Sequence, residues 1–133
     1  MKSPELATLD KNSWKLESGV IRHKLNPQSF WIPDESIRNN VDKGAAVKLL
    51  FIIESEDNNG EIYQECERMW VIVLNSNKNF YFGVLDSDVD CVKSEIGALR
   101  RGSKLCFKPE HIIDIDYPPK EYLEENYPDE FAI

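Results

Sequence analysis

Apolar positions along the chain fall in short runs separated by turn residues, with the lengths and the two-residue period of strands. The run "AAVKLLFIIES" at 45–55 is rich in branched and aromatic residues and predicts a buried strand. "EDNNGE" follows, and Asn59-Gly60 is a strong hairpin signal. A second strand returns through Ile62 and Tyr63 and, after a bulge, through Met69 to Leu74. The loop "NSNKN" then turns the chain into a third strand, "FYFGVL". In the second strand Met69, Val71 and Val73 share one face, while Trp70, Ile72 and Leu74 share the other. Both faces are apolar, which predicts a strand covered on both sides, with its aromatic residues in the core or at its edge. Further on, Lys104-Leu105-Cys106-Phe107 alternates polar and apolar, and "HIIDID" alternates again before Pro118 and Pro119 stop it. Pro119 is placed to open a final helix, "PKEYLEENY".

The N-terminal part is less regular. Residues 1–12 are polar and predict a frayed end. Trp14, Leu16, Val20 and Ile21 suggest short extended pieces around a turn at Gly19. A brief helical turn is expected from about Asp34 through Ile37 and Val41, closed by Gly44. "VDKGAAVKLLF" and "LRRGSKLCF" share a turn glycine, lysine-containing strand residues and a phenylalanine, as two similar strand openings in one barrel would. The expected fold is α+β and mostly β: a strongly bent antiparallel sheet or small open barrel with a C-terminal helix. A single β-rich domain over residues 13–118 would be followed by an acidic helix or tail at 119–133. Removal of that tail is expected to leave the fold intact.

Charge sharpens this division. The net value is −8, yet eight of the 24 acidic residues lie between Glu110 and Ile133, against one of the 16 bases. The acidity therefore belongs to the terminal segment, which would repel phosphate and attract a basic partner. No apolar run approaches the roughly 20 residues that span a bilayer. The stretch after Met1-Lys2 has no apolar core of the kind a secretory signal carries, so the expected compartment is the cytoplasm. Cys66, Cys91 and Cys106 are too far apart for a zinc or disulfide framework, and reduced thiols packing as small hydrophobes are expected.

Four constellations could carry chemistry. Asp86, Asp88 and Asp90 begin like a calcium loop, but Cys91 stands where such loops need glycine and Gly97 where they need glutamate, so a solvated acidic loop fits better. His111, with Asp114 three residues on, is a weak candidate for a catalytic base, and His23 a weaker one. Arg100, Arg101, Lys104 and Lys108 form a basic cluster near Trp70, Tyr81 and Phe82 that could hold a single strand of nucleic acid. The lack of a basic excess opposes that reading, and the acidic segment docking on the cluster within one molecule is the simpler use of it. Glu121, Glu124, Glu125, Asp129 and Glu130 make the acidic surface itself, the expected contact for a protein partner. Nucleotide and hydrolase fingerprints are absent from the sequence, and no cofactor or metal is implied.

"SFWIP" at 29–33, "AVKLLF" at 46–51, "ERMWVIV" at 67–73, "FYFGVLDSDV" at 80–89 and "LRRGSKLCFKPEHIIDI" at 99–115 follow one another with short spacers. This order resembles the YegJ-like family of bacterial proteins, domain of unknown function 2314, over about residues 29 to 115. The resemblance implies a bacterial, β-rich, cytoplasmic domain and no particular reaction. The chain departs from the family pattern at "DSDVD", where members often carry Asn-Xaa-Pro. Small bacterial domains of this general kind can neutralise toxins as immunity proteins, which here is an analogy alone.

Together these features favour a non-catalytic interaction domain that engages a protein through its acidic surface. The alternatives are a small enzyme with a pocket built from Trp31, His111 and carboxylates, and a barrel that binds single-stranded nucleic acid.

Overall fold

The computed structural model describes residues 5–89 and 99–132. Its centre is the strand β2 (Ala46–Glu56), apolar on both faces because both are covered. Val47, Leu49, Phe51 and Ile53 point to the inner face, while Ala46, Leu50 and Ile52 point outward. The long strand β3 (Ile62–Asn77) pairs with β2 antiparallel without a break in register, from Ala46↔Ile72 to Glu56↔Ile62. Asp57 closes their turn: its carboxylate accepts the amides of Asn59 (2.8 Å) and Glu61 (2.9 Å), and Gly60 takes the left-handed φ of 82° the turn requires.

Strand β4 (Phe80–Leu85) follows after a turn in which Lys78 adopts φ 51°. The bulge expected between Tyr63 and Met69 is absent, since β2 and β3 pair there without a shift; a register shift occurs instead between Val73 and Asn75, in the pairing of β3 with β4. Strand β5 (Lys104–Phe107) pairs with β4. The chain then crosses through a 3₁₀ turn, Pro109–His111, into β6 (Ile112–Asp116), which returns to the free edge of β2 beside Ala46–Leu49. The first strand, β1 (Trp14–Glu17), takes the rest of that edge, beside Leu50–Ile53. The six strands thus form one curled antiparallel sheet, a half-barrel, as the alternation predicts.

The two similar segments noted in the sequence do open strands in the same way. Gly44 and Gly102 both have φ 94°. Gly44 N–H donates to the Val73 carbonyl and Val73 N–H to the Ala45 carbonyl; Gly102 N–H donates to Leu85, and Leu85 N–H to Ser103. Each glycine steers the chain onto a neighbouring strand two residues before its own strand begins.

Inside the curl lies the main core, with Trp14, Phe51, Met69, Val71, Leu85, Phe107 and Ile112 among its buried members. Trp14 and Phe51 meet with ring centroids 5.6 Å apart, and Tyr81 stacks on Phe107 at 5.4 Å. Two smaller clusters cover the outer face. Phe30 lies over Leu50 and Ile113, and the C-terminal helices α4 (Lys120–Asn126) and α5 (Pro128–Phe131) lie over Ala46, Ile72 and Val84.

Four expectations need correction. Residues 5–12 are not frayed: Leu9–Asn12 forms a helical turn, α1, capped by Thr8, while Ala7 packs on the core and the Cys106 thiol donates to the Glu5 carbonyl at 3.0 Å. Residues 19–25 are not extended but helical (α2, Gly19–Leu25), because the Ser18 hydroxyl accepts the Ile21 amide and caps them. Gly19 also lets this helix start against β6, since a Cβ there would sit 2.6 Å from Ile113 Cγ2. The expected turn near Asp34 is present as α3, limited to Glu35–Arg38. The last helix begins one residue after Pro119 and is divided at Pro128, which cannot continue the hydrogen-bond ladder of α4 but suits the first position of α5. Among the described residues no helix is long and apolar enough to cross a membrane.

Candidate functional site

The C-terminal segment is fixed to the sheet by a stripe that its charge conceals. Leu123, Tyr127 and Phe131 recur every four residues and, with Tyr122, face Ala46, Ile72, Val84, Trp70 and Leu74. Leu123 is buried. A polar anchor lies beside this contact. The Asp86 carboxylate, only 12% exposed, accepts Tyr122 Oη at 2.8 Å, the hydroxyl of Tyr127, and Arg101 Nη1 at 3.2 Å. Burial, and then the Asp86 carboxylate, push both phenol pKa values up, so the hydroxyls remain donors across the physiological range. The segment roofs one half of the outer sheet, and these contacts argue against the expectation that its removal leaves the fold intact.

The roof orders the acidic surface. Glu121, Glu124 and Glu125 follow the i, i+3, i+4 pattern of one helix face, and Asp129 is exposed on α5. Among the described residues none of these four carboxylates has a cation within 4.0 Å, whereas Glu130 pairs with Lys104 at 3.4 Å. The acidic segment and the basic cluster thus meet, and among the described residues Lys104–Glu130 is the one ion pair between them. Arg101 instead serves Asp86 and, at 3.0 Å, Asp88. Lys108 lies over the Phe80 ring at 5.5 Å.

The metal candidates are occupied otherwise. Asp86 and Asp88 are committed to Arg101 and the two tyrosines, and Asp90 lies outside the described residues. Among the described residues no group of three His, Cys, Asp or Glu side chains is placed to hold a metal ion. Cys91 also lies outside them; Cys106 is half-buried, and Cys66 is exposed on β3 and does not pack as a small hydrophobe.

His111 is 4% exposed and closes the 3₁₀ turn, its Nδ1 accepting the Lys108 amide at 2.9 Å. Burial pushes its pKa down to about 4, against the smaller opposing pull of Glu110. Nδ1 is thus committed to the backbone, and Nε2 lies 3.7 Å from Glu110, beyond a hydrogen bond. A small cleft of about 310 Å³ borders His111, lined by Leu6, Thr8, Asp10 and Lys15 among others, and Trp31 is not among its walls. Trp31 is 68% exposed. Of the residues suggested for an enzyme pocket, Trp31 is therefore not brought to His111, whereas the Asp10 carboxylate shares the cleft with it. His23 donates Nδ1–H to the Phe30 carbonyl at 2.6 Å, which holds the loop over the outer sheet.

The aromatic platform suggested for nucleic acid does not form either. Trp70 packs beside the C-terminal helices and carries Lys48 over its ring at 4.9 Å, Tyr81 is buried, and Phe82 is half-buried on β4. Tyr122 and Tyr127 were not singled out in the sequence, although two phenols within an acidic segment are a visible sign of a wet-ended apolar contact.

Comparison with family models, with curated proteins and with solved structures returns no match.

Proposed function

We propose that this domain is a non-catalytic interaction module that engages a basic protein through the acidic face of α4 and α5. The observation that carries the reading is the state of Glu121, Glu124, Glu125 and Asp129: four carboxylates without a cation in reach among the described residues, on helices that Leu123 and the Asp86–tyrosine anchor hold in place. Carboxylates fixed in advance lose little freedom on binding, and their summed field speeds encounter with a positive surface. Neutralising a basic toxin is one task such a face would suit.

The test compares two baits in native lysate at low salt after nuclease: the wild-type chain and a variant carrying Glu121→Gln, Glu124→Gln, Glu125→Gln and Asp129→Asn. A basic protein held by the first, lost from the second and released by salt supports the reading. A partner held equally by both baits, or no partner on either, overturns it.

A further inference from the structure

A groove of about 830 Å³ opens between α3, the β3–β4 turn and the 3₁₀ turn, and it is formed by residues outside the acidic face. Its deepest walls are Arg38, Val41 and Tyr81, all buried. The backbone there is fixed from below: Tyr81 Oη donates to the Arg38 carbonyl at 2.7 Å and accepts the Val41 amide at 3.1 Å. Arg38 as a whole residue is only 7% exposed. Its Nε donates to the Pro33 carbonyl at 2.9 Å, while Nη1 reaches the Pro109 carbonyl at 3.5 Å, the limit of a hydrogen bond.

Neither partner carries charge. Among the described residues no carboxylate lies within 4.0 Å of Arg38. A buried cation with neutral partners keeps most of its desolvation cost, and a guanidinium with unspent donors is matched by a carboxylate or phosphate. Two more cations, Lys78 and Lys108, line the same groove, again without a carboxylate in ion-pair reach among the described residues. The acids of the groove, Glu35, Asp42 and Glu110, are exposed, and none pairs with these three bases. Asn40, Asn79 and Ser76 add neutral hydrogen-bonding groups. The volume lies within the usual range for small-molecule sites.

We propose that this groove binds a small polar molecule through a carboxylate or phosphate group seated on Arg38, with Lys78 and Lys108 completing the charge. The two group types share the same recognition, so the test treats them separately. Backbone and arginine Nε–Hε NMR signals of the full chain are followed during titration with inorganic phosphate, with acetate, and with chloride at matched ionic strength. The expected result is a saturable shift of Arg38 Nε–Hε and of the Asn40 and Asn79 amides with phosphate, acetate or both, and none with chloride; which anion saturates tells the group. Lys78→Ala and Lys108→Ala, both at the surface of the groove and dispensable to the core, should each weaken binding by about two- to fivefold. Shifts that do not saturate, that chloride reproduces, or that Lys78→Ala and Lys108→Ala both leave unchanged overturn the proposal. So does an Arg38→Lys variant that only loses stability while wild type shows no anion binding, because Arg38 is then a clamp between Pro33 and Pro109.

Discussion

Leu123→Ala tests whether the acidic helices belong to the folded core. Leu123 is 7% exposed and packs against Ala46, Ile72 and Val84. The substitution removes three carbon groups, and at ~0.8 kcal/mol each the lost transfer energy is about 2.4 kcal/mol. The cavity left behind adds to this, giving the usual span of about 2–5 kcal/mol for buried Leu→Ala. Phe131 is only half-buried beside Leu123, and so can lean into the gap, which places the expected loss at the low end, about 2–3 kcal/mol. Urea denaturation followed by tryptophan fluorescence measures it, with Trp70 in the same cluster as a local reporter. Glu125→Ala, on the exposed side of the same helix, is the control and should stay within ~0.5 kcal/mol of wild type. A loss below about 0.5 kcal/mol for Leu123→Ala with an unchanged urea slope would refute the docking argument. So would a chain ending at residue 118 that unfolds at the same midpoint as the full one.

Three further outcomes follow from the same geometry. Tyr81→Phe removes the acceptor of the Val41 amide and the donor to the Arg38 carbonyl, both buried, and should cost about 1–3 kcal/mol by the same denaturation assay. Gly83→Ala would place a Cβ 2.6 Å from the Ile72 carbonyl oxygen and 2.5 Å from Val71 Cγ1; a paired backbone cannot retreat, so a loss of about 2 kcal/mol or more is expected, with weakened amide protection along β3 and β4. His111 titrates near its ordinary 6.5 when unfolded and at about 4 when folded, so below pH 6.5 the unfolded chain binds the extra proton. The contribution of the neutral ring is whole above 6.5 and disappears as pH falls through 4, about 3 kcal/mol in all; His111→Gln should flatten the stability curve over that window, and parallel curves for the two proteins would contradict the assignment.

How far the fold was legible depended on how local each signal is. Strands β2 to β6 could be read because their alternation and turn residues are written within a few positions, down to the matched roles of Gly44 and Gly102. Helix α2 was missed because seven residues hold too few apolar positions to show a period, and its cap, Ser18, is a common residue. The docked C-terminal helices were misjudged for another reason. Leu123, Tyr127 and Phe131 do repeat every four residues, but the carboxylates between them dominate any count of charge. The anchor at Asp86 joins residues 36 and 41 positions apart, and the burial of Arg38 depends on Pro109, 71 positions away. No local pattern encodes such meetings.

The shared edge of β2 carries a consequence for how the chain folds. Its partner on one side, β3, is the next strand along the chain, and β4 follows β3 after a tight turn, so this meander can assemble from neighbouring segments. On the other side β1 and β6 lie end to end but arrive from opposite ends of the sequence. Seating β6 beside Ala46–Leu49 requires closing a loop that contains the whole meander, an entropic cost met before its contacts offer any return. Mutations at Ile112 or Ile113 should therefore act mainly on the rate of unfolding, and those in the β2–β3 hairpin mainly on the rate of folding.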